Sequence, residues 1–193
     1  MLSENIKKYI NGIKDENVAL FQLEKEYAEK HQLADIPLME KPEELRFADA
    51  YIERCDKETE NMIRNESADF LNQPLVYFYK HKNEFIYLES KWFDFIQVDA
   101  ISLELDDVFG TYDVMLGLKL QKKFAKRLRE YLSNHLEGEG ATFDLMFSNE
   151  EGLWNLNFAL NAVDGFHENM TIGEGYQLIY RFMFSMLEAI EEI

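Results

Sequence analysis

Hydrophobic and polar residues alternate strictly in the middle of the chain. Apolar residues occupy every second position in residues 101–105 and again in residues 112–118, on either side of Gly110. A period of two is typical of a strand that buries one face and exposes the other. We therefore predict a β-hairpin that turns at Gly110.

A second pair of alternating segments occupies residues 143–147 and 154–160, with turn residues at 149–152 between them. A register shift of one residue would exchange the buried and exposed faces, so the pattern fixes the direction of each side chain. We expect Asn155 and Asn157 to face solvent. The residues expected to face the core from the second strand are Trp154, Leu156, Phe158 and Leu160.

Between the two hairpins the period becomes that of a helix. Residues 119–135 carry apolar residues at steps of three and four, and six basic residues lie between Lys119 and Arg129. Thr171 and Glu174 form a capping box that predicts the start of a last helix. The basic helix is expected to direct the following residues inward: Leu120, Phe124, Leu128, Tyr131 and Leu132.

The first third of the chain has helical periodicity. Residues 3–32 predict one interrupted helix or two helices in series. Residues 42–62, which begin with Pro42, predict a further helix. Together these segments predict an antiparallel helical hairpin within residues 1–72. Cys55 lies on the apolar side of that further helix, which indicates a small core residue rather than a nucleophile.

Residues 75–95 are rich in aromatic side chains and fit two patterns. Their apolar residues match one face of a helix, which we favour. They also match two short buried strands at residues 75–79 and 85–88.

These elements predict an α+β fold in a single domain over residues 1–193. A helical hairpin subregion occupies residues 1–72. A sheet-and-helix subregion occupies residues 98–193, where the order β-β-α-β-β-α predicts one antiparallel sheet of about four strands packed against helices.

Composition and charge exclude several classes of function. The chain has 193 residues, with 37 acidic and 20 basic residues and a formal net charge of −17. Such a chain repels nucleic acid, because binding to phosphates requires clustered cations. No apolar run is long enough to span a bilayer, and the N-terminus lacks the apolar core of a signal peptide. We therefore expect a cytoplasmic protein, with neither nucleic acid nor membrane as a partner.

The acidic residues are unevenly distributed. Residues 137–193 contain 11 acidic residues and one basic residue, Arg181. A concentrated negative surface accelerates encounter with a cationic partner. We predict a non-catalytic interaction module that binds a basic protein, as a regulator, an adaptor or an immunity-type inhibitor would. The residues expected to contact that partner are Glu150, Glu151, Glu188 and Glu191.

An alternative function is a magnesium-dependent hydrolase that acts on nucleotides. Carboxylate oxygens suit Mg²⁺, and the strand pattern places several of them on the polar face of the sheet. The single cysteine excludes an internal disulfide and a thiolate-rich zinc site. No further cofactor is expected, because the sequence lacks glycine-rich phosphate loops. The candidate metal ligands are Glu104, Asp106, Asp107 and Asp144.

A family resemblance also bears on the hydrolase alternative. The pairs Glu26 and Glu29, then Glu53 and Asp56, resemble the ExxE…ExxD spacing of the all-α nucleotide pyrophosphohydrolases. In that family, carboxylates one helical turn apart on facing helices hold Mg²⁺ around a triphosphate. The resemblance covers only the predicted helical hairpin.

A second resemblance involves residues 81–124, with the sequence HKNEFIYLESKWFDFIQVDAISLELDDVFGTYDVMLGLKLQKKF. This segment is similar to a group of small bacterial cytosolic proteins, some of which are labelled as branched-chain aminotransferases. The resemblance implies no activity for this chain. A pyridoxal-phosphate aminotransferase needs a much larger fold to hold its cofactor.

Overall fold

A computed structural model describes residues 1–138 and 141–191. Within these residues the fold is α+β, with five α-helices, a small parallel sheet and an antiparallel sheet of seven strands. The antiparallel sheet is called the main sheet below. The α+β class is therefore as the sequence predicted.

The small sheet pairs β1 (Val18–Leu20) with β2 (Leu38–Glu40) in parallel. The strands of the main sheet are β3 (Tyr51–Asp56), β4 (Met62–Glu66), β5 (Glu84–Glu89), β6 (Val98–Asp106), β7 (Thr111–Leu118), β8 (Phe143–Ser148) and β9 (Leu153–Ala159). Their spatial order is β4-β3-β5-β6-β7-β9-β8, and every neighbouring pair is antiparallel.

The α-helices are α1 (Leu2–Gly12), α2 (Gln22–Lys30), α3 (Tyr77–Lys80), α4 (Ala125–His135) and α5 (Ile172–Glu191). The longest, α5, is buried over most of its length and forms the centre of the core. Its Tyr176 hydroxyl donates hydrogen bonds to the backbone carbonyls of Ile86 and Ile101, at 2.8 and 3.3 Å. These bonds fasten α5 to the middle of the main sheet. The covered side of the sheet is therefore the α5 side.

Both hairpins predicted from alternation are confirmed. They are formed by β6 with β7 and by β8 with β9, and burial alternates along the strands as the pattern required. Asn155 and Asn157 are exposed, whereas Trp154, Leu156, Phe158 and Leu160 are buried. Gly110 and Gly152 have φ of +71°, the left-handed conformation that a tight turn demands and glycine adopts without strain.

The helical hairpin predicted for residues 1–72 is wrong. The first part does contain two helices in series, α1 and α2, but residues 42–62 include strand β3 and the start of β4. Apolar residues at a step of three occur in β3 because each face of the strand has one buried apolar residue. Ile52 points to the covered side and Cys55 to the opposite side, and both are at most 3% exposed.

The predicted sheet of about four strands is also wrong, because β3, β4 and β5 extend it. After residue 97 the observed order is β6, β7, α4, β8, β9 and α5. The favoured helix over residues 75–95 is wrong for its second half, where β5 forms the strand given as the alternative. Its first half contains the short helix α3 and not a strand.

The two predicted helices of the second half are present. A 3₁₀ turn at residues 122–124 contains the half-buried Phe124 and precedes α4. In α4, Leu128 and Leu132 are fully buried and Tyr131 is half-buried. The capping box of α5 forms as predicted. The Glu174 N–H donates to Thr171 Oγ1 at 3.1 Å, and the Thr171 N–H donates to Glu174 Oε2 at 2.7 Å.

A buried ion pair connects the N-terminal third to α5. The Arg46 guanidinium, 1% exposed, donates two hydrogen bonds to the Glu24 carboxylate, at 2.5 and 3.2 Å. The Tyr180 hydroxyl of α5 donates to the same carboxylate at 2.5 Å. The guanidinium also lies 4.3 Å from the ring centroids of Phe21 and Tyr180. Because both charges are paired and hydrogen-bonded, they are tolerated inside the core.

Candidate interaction face on the main sheet

The side of the main sheet opposite α5 has no helix packed on it within the described residues. Strand alternation and the observed register give this open face its composition. It has no lysine or arginine from the described strands. The side chains that define the open face are Glu53, Cys55, Phe85, Tyr87, Glu89, Ser102, Glu104, Asp106, Asp113, Met115, Asp144, Met146, Asn155 and Asn157.

Three adjoining grooves cross the open face. The first groove has a volume of about 660 Å³ and lies where β3 begins and β5 ends. Tyr87 is shared between it and the middle groove, which has a volume of about 460 Å³. The third groove, of about 840 Å³, lies over β7, β9 and β8. Glu104 of the middle groove is directly opposite Asp113 of the third. The grooves therefore adjoin one another along the open face.

This surface is strongly acidic. Ten acidic residues line the three grooves: Asp49, Glu89, Asp94, Asp99, Glu53, Glu60, Glu104, Asp106, Asp113 and Asp144. The lysines that line them are Lys57, whose Nζ lies 3.1 Å from Glu104 Oε1, and Lys91, which pairs with Asp49. Lys119 reaches the rim and pairs with Asp99. Each lysine offsets one carboxylate, so a large negative excess remains.

The acids at the centre of the open face are crowded. Partial burial raises the pKa of Asp113, and the nearby Asp106 carboxylate raises it further, against the lowering effect of a hydrogen bond from Thr111. Burial likewise raises the pKa of Glu104, which Lys57 opposes and Asp113 and Asp106 reinforce. Partial dehydration is the main cause of both raised pKa values, and the neighbouring carboxylates add to it. A cation bound there would relieve the repulsion.

Aromatic and apolar side chains lie between the acids. Phe85, Tyr87 and Met115 line the middle groove and are half-buried. The Tyr87 hydroxyl donates to Glu89 Oε1 at 2.7 Å, which holds the ring against the sheet. Half-buried aromatic rings next to carboxylates suit the long apolar stems and charged heads of arginine and lysine. The open face therefore offers both contacts that a basic protein surface requires.

Cys55 lies at the floor of the middle groove and is 3% exposed. Burial raises the pKa of its thiol to about 11, and the neighbouring Glu53 carboxylate adds to the effect. The thiol is therefore protonated at neutral pH and is a poor nucleophile. Its position on a strand differs from the predicted helix, but its burial fits the predicted role as a small core residue.

The candidate metal ligands do not converge. Asp106 Oδ1 accepts hydrogen bonds from the N–H groups of Val108 and Phe109, and Asp107 is exposed in the same turn. Asp144 lies on β8, three strands from Glu104 on β6, which is roughly 14 Å at the usual spacing. The part of the chain that the structure describes contains no group of three or more histidine, cysteine, aspartate or glutamate residues arranged to hold a metal ion.

The carboxylates that resemble the pyrophosphohydrolase pattern are also separated. Glu26 and Glu29 lie on α2, but Glu53 and Asp56 lie on strand β3. Residues three apart on a strand point to opposite faces, so Glu53 and Asp56 cannot act together as they would on a helix. The structure therefore gives no support to that resemblance.

The four acids predicted to bind a partner fall into two groups. Glu150 and Glu151 are exposed in the turn between β8 and β9. Glu188 instead pairs with Lys30 at 2.9 Å. Glu191 accepts hydrogen bonds from the Ser3 hydroxyl at 2.6 Å and the Tyr27 hydroxyl at 3.0 Å. The last two residues therefore hold the helices together.

The basic helix α4 lies beside the acidic C-terminal segment. Arg127 of α4 donates a hydrogen bond to the backbone carbonyl of Ile190 in the last turn of α5, at 3.1 Å. A cation at this end of a helix also opposes the helix dipole. The negative charge of the C-terminal segment is thus partly compensated within the molecule. Fewer of the negative charges on the open face are paired with basic residues.

The sequence indicated only half of the open face. The predicted polar rows on β6 to β9 are present, but the contribution of β3 and β5 was missed because those residues were assigned to helices. The open side of these two strands includes Cys55, Phe85 and Tyr87, so no continuous polar row marked it in the sequence.

Comparison of the chain with protein-family models, with curated proteins and with solved structures finds no match in any of the three. Among the helices in the described residues, none combines the length and the hydrophobicity that crossing a membrane requires.

Proposed function

We propose that the protein is a non-catalytic interaction module that binds a basic protein, as a regulator, an adaptor or an immunity-type inhibitor. The observation that carries this proposal is the open face of the main sheet, where ten groove-lining acids surround half-buried aromatic residues. We place the proposed binding site on this face and not at the C-terminal acids that the sequence suggested. Glu188 and Glu191 already have partners within the molecule.

The charge of the open face selects the class of partner. A concave acidic surface raises the local potential and speeds the approach of a cationic surface, while it repels nucleic acid. The grooves extend over six neighbouring strands of the main sheet, in the spatial order β3, β5, β6, β7, β9 and β8. This extent suits a protein surface better than a single small ligand. A basic protein satisfies both the charge and the extent of the face.

The magnesium-dependent hydrolase remains the alternative function, but no specific observation favours it. Its candidate ligands Glu104, Asp106 and Asp144 have different neighbours and do not surround one point. The same carboxylates instead contribute to the acidic surface.

Two charge variants test the proposal. The face variant carries Glu53→Gln, Glu60→Gln, Asp113→Asn and Asp144→Asn. The loop variant carries Glu150→Gln, Glu151→Gln, Asp164→Asn and Glu168→Gln, all at exposed positions outside the grooves. Each variant loses four of the 37 acids, so their net charges are equal and only the location of the change differs.

The wild type and both variants are immobilised and exposed to a cell extract at low salt, and bound proteins are eluted with increasing salt. We expect a basic protein to bind the wild type and the loop variant, to elute with salt, and to be lost from the face variant. Retention by the face variant, loss from the loop variant alone, or capture of only acidic proteins would overturn the proposal.

A further inference from the structure

The most exposed large hydrophobic residues of the described chain lie at one tip of the open face. Val108 and Phe109, in the turn between β6 and β7, are 80% and 81% exposed. Phe109 also lines the third groove together with Asp106, Asp113 and Asp144. An aromatic side chain in water at the end of an acidic groove has no role in the core of this protein. It is placed where a partner on the open face would cover it.

The turn holds this tip in a defined conformation. Asp106 Oδ1 accepts hydrogen bonds from the N–H groups of Val108 and Phe109, at 2.8 and 3.1 Å. The Gly110 N–H donates to the Asp106 carbonyl at 2.8 Å, and Gly110 has a φ of +71°. An apolar side chain presented by an ordered turn loses little conformational entropy on binding.

Other exposed hydrophobic residues lie around the same face. Met146 on β8, Met62 on β4 and Tyr51 on β3 are 60%, 53% and 44% exposed, and the register directs each to the open side. Exposed apolar residues therefore accompany the acids across the open face, from β4 at one edge of the sheet to β8 at the other.

We propose that Phe109 is the apolar anchor of the interface and determines which basic proteins bind. This inference rests on the proposed function of the open face. The partner it selects is a basic surface that carries an aromatic or aliphatic side chain beside its arginines or lysines. The acids accelerate association with any cationic surface, and the Phe109 contact slows dissociation of those surfaces that also supply an apolar contact.

Two synthetic peptides separate these contributions. Both have twelve residues and four arginines, and they differ at one central position, which is tryptophan in one and serine in the other. Dissociation constants are measured at low salt for the wild type, for Phe109→Ala and for the face variant. Leu45→Ala is the control, because Leu45 is 52% exposed but lies on the α5 side.

We expect the tryptophan peptide to bind the wild type about tenfold more tightly than the serine peptide. Phe109→Ala should abolish this difference and leave the serine peptide unchanged, and Leu45→Ala should preserve the difference. Because Phe109 is exposed, the substitution should leave the melting temperature unchanged, which confirms that the variant is folded.

The outcomes separate the two proposals. Equal binding of the two peptides by the wild type, with both weakened in the face variant, would overturn the role of Phe109 and leave the acidic interface intact. A preference for tryptophan that survives Phe109→Ala would also overturn that role. If both peptides bind the face variant as tightly as the wild type, the proposed function itself is contradicted.

Discussion

Arg46 and Glu24 are the charged residues most deeply buried in the described structure, at 1% and 0% exposure. Arg46 also donates hydrogen bonds to the Glu43 carboxylate, at 2.5 and 3.1 Å, so its charge keeps one partner when Glu24 is neutralised. We expect Glu24→Gln to lower the free energy of unfolding by about 1 to 3 kcal/mol in denaturant unfolding, because the bonds to the Glu24 carboxylate are weakened inside the core. Glu29→Gln, at an exposed position of the same helix, should change stability little. Similar losses for the two variants would contradict the assigned role of the pair.

Asp113 is expected to make stability depend on pH. Its pKa in the folded protein lies above the ordinary value of 3.8, because the carboxyl is partly buried and Asp106 is close. Such a carboxyl binds its proton more tightly in the folded state. The folded state therefore loses stability as the pH rises from below 3.8 through the raised pKa.

Asp113→Asn removes this loss and retains an oxygen that can accept the hydrogen bond from Thr111. We expect the variant to be more stable than the wild type at pH 7 and to match it near pH 3, as measured by denaturant unfolding at each pH. The exposed Asp144→Asn should have a smaller effect. An equal gain at both pH values, or a loss at pH 7, would show that the raised pKa of Asp113 does not control the pH dependence.

Single residues were predictable where the local pattern fixed the face of a strand. Trp154 and Asn155 are examples, since alternation requires one to be buried when the other is exposed. The partners of Glu188 and Glu191 were not predictable, because Lys30, Ser3 and Tyr27 approach them only after the chain has folded.

At the level of elements, α4 illustrates how an amphipathic helix separates packing from charge. Leu128 is fully buried, whereas Lys126 is exposed and pairs only with Glu130, at 3.6 Å. We expect Leu128→Ala to lower the free energy of unfolding by about 2 to 5 kcal/mol, because it removes buried methyl groups and leaves a cavity. Lys126→Ala should have an effect within about 0.5 kcal/mol. Equal shifts in the melting temperature would mean that the helix faces the other way.

Strands whose open side is a polar row were predicted correctly, and β3 and β5, which have apolar residues on both sides, were not. In β6 to β9 the polar residues mark the open side, so the period of two is visible. In β3 and β5 the open side contains Cys55, Phe85 and Tyr87, which hides the alternation. The sheet context decides the conformation of such segments, and that context is absent from the local sequence.

At the level of the whole molecule, the distribution of acidic residues over the folded surface differs from their distribution along the sequence. The C-terminal acids are the densest in sequence, but α4 and the N-terminal helices lie against them. The ten acids that line the grooves come from five strands and three connecting segments that are far apart in sequence. The sequence predicted an acidic interaction module with its site at the C-terminal acids. We propose the open face instead, because folding brings these distant acids together there.

The central claim is that the open face of the main sheet is the surface that meets cationic partners. The most direct test is to map the binding of the four-arginine serine peptide by amide NMR shifts on the folded protein. We predict that shifts at low salt concentrate on residues of the grooves, such as Ser102, Asp113 and Asn157, and disappear at high salt. Shifts concentrated at Glu150 and Glu151 or along α5, or shifts that do not depend on salt, would contradict the claim.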